Sequence, residues 1–143
     1  MNEPSEDRMF SVSLRLSGDG LVPSRLNDEL GLTAEIIGLK GEPRKGLNGR
    51  LYAPYETHLW VYSLPEGEQE GFEEPIGRLF TLLGDRGVQR LKALAAQEDV
   101  EAELLCGYSS MNGQGGCSLA ASTLKKIADS GLALTLDLYS PEA

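Results

Sequence analysis

The chain has 143 residues, of which 41% are apolar and 24% charged, and its formal net charge at pH 7 is −9. This length and composition suffice for one domain with a buried core, which excludes wholesale disorder. The excess of carboxylates repels phosphates and anionic lipids, so we expect neither nucleic acid nor a membrane surface as a partner.

The N-terminal segment is polar and acidic and lacks the basic and apolar parts of a signal peptide. No apolar run in the sequence is long enough to cross a membrane. We therefore predict a disordered leader over residues 1–8, a single domain over residues 9–143 and a cytoplasmic location.

The first half of that domain begins with a strand over residues 10–16, where apolar and polar residues alternate with the period of two that a strand requires. The turn at residues 17–20 ends it, and a short helix follows from Pro23 to Gly31. Residues 34–39 predict a second strand.

A long loop is predicted over residues 40–56, which are rich in glycine and proline and contain basic and aromatic residues such as Arg44 and Tyr55. A strand over residues 58–63 and an acidic loop over residues 65–74 come next. Two helices are then predicted. Proline opens the first at position 75, and an aspartate at position 85 can cap the second.

The last part of the chain resembles the first, because a strand over residues 100–108, a glycine-rich turn, a short helix and a strand over residues 132–139 follow one another. Two such strand–helix–strand units form a weak internal repeat. We predict an α+β fold with a mainly antiparallel sheet and helices on one face. The architecture is expected to be ferredoxin-like with an extra helix and strand.

No catalytic apparatus is recognisable in the sequence. The glycine-rich segment 113–118 precedes a helix, and Asp137 follows about twenty residues later, as in a dinucleotide-binding loop. Ser118 replaces the third glycine, however, and the helix is short, so a turn is the better interpretation. His58 is the single histidine and has no nucleophile motif to serve. We predict no catalytic residue and favour a protein that is not an enzyme.

The cysteine and histidine content argues against a disulfide, a metal and a cofactor. Cys106 lies in an apolar run and Cys117 in a glycine-rich segment, and the absence of a secretion signal favours reduced thiols. One histidine and two isolated cysteines do not provide the clustered ligands that zinc requires. Glu101 and Glu103 share one face of a predicted strand, where solvent exposure explains them.

The polar face of the predicted sheet is the candidate interaction surface, because tryptophan, tyrosine and arginine often anchor interfaces. The candidate contacts are Arg15, His58, Trp60, Tyr62, Asp137 and Tyr139. The pattern of the strand 58–63 leaves two alternatives. Either His58, Trp60 and Tyr62 face outward, or Trp60 faces the core while Leu59 and Val61 face outward.

Several motifs resemble a bacterial family known as domain-of-unknown-function family 4279. They are SLRLSGDGL and LNDELGL near the start, KGEPR, the isolated Trp60 and the ending GGCSLAASTLKKIADSGLALTLDLY. The resemblance covers about residues 10–139 and implies no catalytic residue. Ala120 stands where the family tends to have a serine or threonine that can cap the last helix, and Ala34 stands where proline is common.

These observations favour an uncharacterised, non-enzymatic module that binds a basic protein partner, in the manner of an immunity protein that neutralises a toxin. The alternative is a small-molecule-binding protein or enzyme with a pocket beside the 40–56 loop and His58. A third hypothesis is self-association through an exposed sheet face or strand edge.

Overall fold

The computed structural model describes residues 8–46, 48–65, 71–110 and 117–139. Its elements, in chain order, are β1 (Arg8–Ser17), α1 (Pro23–Leu30), β2 (Ile36–Gly38), β3 (Pro43–Lys45), β4 (Leu51–Pro54), β5 (Leu59–Ser63), α2 (Glu73–Ala95), β6 (Glu101–Ser110), α3 (Ala121–Asp129) and β7 (Ala133–Tyr139). β1 begins at Arg8, within the predicted leader, whose first seven residues lie outside the described part. In that part no helix combines the length and the apolar character needed to cross a membrane.

The main sheet has five strands in the order β2-β5-β1-β6-β7. All neighbouring strands are antiparallel except β6 and β7, which are parallel. β1, α1, β2, β5, α2 and β6 thus form the βαββαβ arrangement of a ferredoxin-like fold, to which α3 and β7 add the extra helix and strand. The α+β prediction is confirmed.

The internal repeat takes a different form from the predicted one. In the last unit, β6 and β7 precede and follow α3 in sequence and lie next to each other in the sheet. In the first unit, β1 and β2 precede and follow α1, but β5 lies between them in the sheet. The segment predicted as a long loop also contains structure of its own, because β3 and β4 pair as a separate antiparallel hairpin. Local patterns located the five strands of the main sheet but could not indicate which strands pair.

The core lies between the sheet and the helices and forms one cluster. Leu14 pairs with Leu104 on one side and Tyr62 on the other, so these three side chains share the face that the helices cover. Apolar residues of all three helices pack against this face, including Leu26, Leu79 and Ile127. In the described part of the chain all three helices lie on this side, and the opposite face carries none.

Two local features determine how the helices sit on the sheet. Gly84 has φ +66° and interrupts α2, so the two predicted helices are present as two segments that meet at this residue. The Glu73 carboxylate accepts hydrogen bonds from the main-chain N–H of Ala120 and the hydroxyl of Thr123. It therefore supplies the cap at the start of α3 that the alanine itself cannot provide.

Candidate functional site

We call the sheet face opposite the helices the uncovered face. Residues paired directly across neighbouring strands share a face, so the strand registers define its membership. Its described side chains include Ser11, Ser13, Arg15, Ser17, Leu59, Val61, Ser63, Glu101, Glu103, Leu105, Ala133, Thr135 and Asp137. Hydroxyl and charged groups predominate on β1, and carboxylates lie on β6 and β7.

Three side chains on three adjacent strands form a connected polar group at the centre of this face. Arg15 Nη1 lies 2.8 Å from Glu103 Oε2, and the Thr135 hydroxyl donates a 2.7 Å hydrogen bond to Glu103 Oε1. The Thr135 hydroxyl, and after it the Arg15 guanidinium, lower the pKa of Glu103, although burial opposes this change. Glu103 is therefore ionised at neutral pH, and its orientation is determined from both sides.

A second polar chain links β1, β5 and the segment before β2. The hydroxyls of Ser13 and Ser63 are 2.9 Å apart, and Ser63 donates a 2.9 Å hydrogen bond to Glu35 Oε1. Since the Ser63 proton is used on the carboxylate, Ser13 donates to Ser63. The uncovered face therefore holds side chains in defined positions before any partner arrives.

The charge of the uncovered face is negative in the described part of the chain. Glu101, Glu103 and Asp137 oppose the single guanidinium of Arg15. Glu101 and Asp137 are exposed to solvent, whereas Arg15 already contacts Glu103. Because Asp137 is in register with Gly107, six residues along β6 from Glu101, the two exposed carboxylates lie near opposite ends of this face.

A cleft of about 580 Å³ lies beside this surface, between the sheet and the β3–β4 hairpin. Its lining residues are Arg15, Ser17, Arg44, Ala53, Pro54, Tyr55, Glu56, Thr57, Leu59 and Glu101. The Arg44 Nε atom donates a 3.1 Å hydrogen bond to the Ala53 carbonyl, which holds the side chain against its own hairpin. Charged groups of both signs therefore line the cleft.

The hairpin is attached to the main sheet through Tyr55 and Gly38. A Cβ atom at Gly38 would lie 2.5 Å from the Tyr55 ring, so the ring can pack there only on a glycine. The Tyr55 main chain also bonds to Gly41 and Glu42, with N–O distances of 3.0 Å in both cases. This attachment makes the outer wall of the cleft part of the folded domain.

The structure places the predicted surface residues in different environments. Arg15 and Asp137 lie on the uncovered face, as the sequence predicted. Tyr139 is in register with Ser109 at the end of β7, where the described part of the structure includes only its main chain. His58 Nδ1 accepts a 3.1 Å hydrogen bond from the main-chain N–H of Lys40.

The outward orientation of Trp60 and Tyr62, which was one of the two alternatives for β5, is wrong. Trp60 is 0% exposed and pairs with Leu16, so it belongs to the helix-covered core. Its indole N–H donates a 3.0 Å hydrogen bond to Asn27 Oδ1. Tyr62, two residues along the strand, packs against the same core. Leu59 is consequently on the uncovered face and lines the cleft.

Sequence reasoning missed the roles of Arg44, Tyr55 and Glu103. The signal for the first two was present, because basic and aromatic residues are concentrated in the 40–56 segment. The signal for Glu103 was its position on the same strand face as Glu101. Its partners could not be read from the sequence, since they depend on β6 lying between β1 and β7.

The two cysteines are unbonded thiols with different surroundings. Cys106 is buried, and burial raises the pKa of its thiol to about 12, whereas Cys117 is exposed. In the described residues no group of three or more histidine, cysteine, aspartate or glutamate side chains is placed to hold a metal ion.

A second groove, of about 490 Å³, lies between α2 and α3, with Phe80, Val88 and Lys126 among its lining residues. It contains none of the candidate interaction residues that the sequence indicated. It also lies at the break in α2, since Gly84 is part of its wall.

Comparison with known proteins identifies one family. A model described as "Domain of unknown function (DUF4279)" matches residues 8–141, which is nearly the whole chain. This is the family whose motifs the sequence resembles. No curated protein and no solved structure matches the chain.

Proposed function

This chain belongs to the DUF4279 family, and from that premise we propose that it is a non-enzymatic interaction module whose uncovered face binds a basic partner protein. The family description assigns no activity, so the proposal rests on the surface of the domain. The observation that carries it is that Glu101 and Asp137 expose their carboxylates on a sheet face that no described helix covers.

The organisation of that face supports a binding role. Hydrogen bonds hold Arg15, Glu103 and Thr135 in place across three strands, which reduces the side-chain entropy lost on association. The net charge of −9 attracts a cationic partner from a distance and accelerates encounter. Immunity proteins, which neutralise a toxin by binding it, are one class of module with this design, and the proposal includes them.

The test is affinity capture from a lysate of the source organism with quantification by mass spectrometry. The variant Glu101→Lys/Asp137→Lys reverses both exposed charges, and neither residue makes an ion pair in the described part of the structure. We expect one basic protein whose recovery falls at least about tenfold with this variant, because like charges then oppose each other across the interface.

The control is Asp28→Lys/Glu98→Lys, which changes the net charge equally but alters exposed acids on α1 and in the segment before β6. It should recover the partner as the wild type does. An equal fall in recovery with both double variants would show that overall charge alone acts. Unchanged recovery with both variants, or the absence of any stoichiometric partner, would also count against the proposal.

The cleft beside the hairpin favours a second candidate function, the binding of a small molecule with an anionic group that Arg15 and Arg44 contact and a polar group that faces Glu56 and Glu101. Arg44 offers its terminal amino groups while its Nε atom is held by the Ala53 carbonyl, and Arg15, Ser17 and Thr57 line the same space. A cleft of about 580 Å³ falls within the size range of small-molecule sites. His58 is not one of its lining residues.

A thermal-shift screen of small carboxylates and phosphate esters tests this alternative. A true ligand should raise the melting temperature of the wild type and of Lys45→Gln but not of Arg44→Gln, because only Arg44 lines the cleft. Lys45 is the matched control, since it is the next residue of the same exposed strand. A screen in which no compound distinguishes Arg44→Gln from Lys45→Gln would remove the support for this site.

A further inference from the structure

The two edges of the main sheet differ in length and chemistry. β2 forms one edge with three residues, and β7 forms the other with seven. Three leucines of β7 lie on the helix side of the sheet and are nevertheless exposed: Leu134 by 37%, Leu136 by 49% and Leu138 by 64%. The alternation of β7 predicts that helices cover these leucines, but α3 leaves them exposed to solvent.

Edge strands of natural proteins are usually protected against pairing by shortness, charge, proline or a bulge. β2 is short, whereas β7 carries one charged residue, Asp137, has no lysine or proline, and forms a ladder with β6 without a register shift. On its outer side β7 presents main-chain donors and acceptors that pair with no other strand in the described part of the chain. Such an edge is suited to pairing with another strand.

The sequence of β7 is complementary to itself in the antiparallel direction. When two copies are aligned about Leu136, each Leu134 lies opposite Leu138 of the second copy, and each Thr135 lies opposite Asp137 of the second copy. Six leucines then form one apolar stripe, and on the other face Thr135, whose hydroxyl proton is donated to Glu103, lies beside Asp137 of the second copy. No aspartate lies directly opposite its own copy in this register.

The rest of the chain offers little that could cover these leucines instead. The segments outside the described residues read MNEPSED, EGEQE, MNGQGG and SPEA, apart from the single Leu47. Methionine and alanine are the apolar residues that these four segments contain, whereas a second β7 brings three leucines.

We propose that β7 pairs with β7 of a second copy, antiparallel about a twofold axis at Leu136, so that two five-stranded sheets become one continuous sheet. Three partly exposed leucines bury less than the roughly 800 Å² per partner of a standard interface, and the main-chain hydrogen bonds of the strands add to them. The expected dimer therefore dissociates in the micromolar range. This proposal rests on the edge and the leucines of β7, and it shares only Thr135 and Asp137 with the function assigned to the uncovered face.

Sedimentation velocity from low micromolar to millimolar concentration tests the dimer. The wild type should shift from monomer to dimer across this range. Leu136→Lys should remain monomeric at every concentration, because it places two ammonium groups opposite each other at the axis. Leu82→Lys is the matched control, since Leu82 is 47% exposed but lies on α2, and it should dimerise as the wild type does.

Three results would overturn the proposal: a wild type that stays monomeric throughout, a dimer that survives Leu136→Lys, or a dimer that both lysine variants abolish. Circular dichroism and thermal unfolding test whether Leu136→Lys is folded.

A crosslinking variant keeps the test valid should that variant be unfolded. Residues opposite each other in an antiparallel pair have Cα atoms about 4.5–5.5 Å apart, within the range for a disulfide. Leu136→Cys in a Cys106→Ala/Cys117→Ser background should therefore give a covalent dimer on mild oxidation; Cys106 is removed because it is the register partner of residue 136 on β6. Leu82→Cys in the same background should not, and equal crosslinking of the two variants would contradict the proposed register.

Discussion

The two faces of the main sheet are built from the same strands but hold their side chains in place by different interactions. On the helix side, Leu14, Leu16 and Leu104 are 0% exposed and packed by apolar contacts. On the uncovered side, Arg15 and Glu103 are held by charge and hydrogen bonds and remain partly exposed. The difference teaches that the tight apolar packing lies on one face of the sheet, so substitutions on the two faces should change stability by different amounts.

The largest expected effect is that of Trp60→Ala, because Trp60 fills the helix-covered face without any exposed surface. Removing the ring leaves a cavity, and we expect the free energy of unfolding to fall by about 3–5 kcal/mol in urea denaturation. Leu59→Ala is the control on the same strand, on the uncovered face and partly exposed, and it should cost roughly half as much or less. Equal losses for both variants would contradict the division between the faces.

An intermediate effect is expected at Asn27, which connects α1 to the core. Its Oδ1 atom accepts hydrogen bonds from Trp60 Nε1 and from the main-chain N–H of Ala34, both at 3.0 Å. Ala34 stands where proline is common in the family, and a proline would lack this N–H group. Asn27→Ala leaves the indole N–H without an acceptor, and we expect a loss of about 1–3 kcal/mol in urea denaturation.

Two further variants sharpen the prediction for Asn27. Asn27→Asp keeps an oxygen acceptor and should recover part of the loss, whereas Asp28→Ala, at the adjacent exposed position, should change stability by less than about 0.5 kcal/mol. If Asn27→Asp were as unstable as Asn27→Ala, the hydrogen bonds would not be the cause.

The smallest effect is expected on the uncovered face, for Glu103→Gln. The pKa of Glu103 is lowered in the folded state, so its carboxylate stabilises the fold above the pKa of the unfolded chain, and this contribution is lost as pH falls through the folded pKa. We expect a loss of at most about 1 kcal/mol at pH 7 that shrinks towards pH 3.

Thermal unfolding at several pH values measures this difference. Glu101→Gln is the control, because it removes an exposed carboxylate from the same strand face, and it should show little change. A loss for Glu103→Gln that is constant with pH would indicate a packing effect, and the ionic account of the Arg15–Glu103–Thr135 group would then be wrong.

Local pattern was sufficient to predict most elements of the fold. The alternation over residues 10–16 predicted β1 and its buried side, and Leu14 and Leu16 are indeed in the core. The helix break was also predictable, since glycine at position 84 and aspartate at position 85 separate two apolar stripes. These features depend on residues close together in the chain, where periodicity and capping act directly.

The candidate site was predictable only in part. Arg15 and Asp137 were identified because they alternate with clearly apolar neighbours, and alternation is a property of one strand. In β5 both faces carry large apolar or aromatic residues, so the pattern could not indicate the side to which Trp60 points. The pairing of Leu16 with Trp60 decides that question, and it is a contact between distant segments.

By itself, the sequence determined that this protein is an acidic α+β domain with these helices and the five strands of the main sheet, because composition and short-range periodicity are properties of the chain. Tertiary structure decided the strand order, and with it three results that no segment contains alone. Arg15 meets Glu103 and Thr135, the 40–56 segment forms the wall of a cleft, and β7 lies at an open edge. The physical reason is that strand pairing brings together residues far apart in sequence, so which face and which edge remain open emerges only when the sheet is assembled.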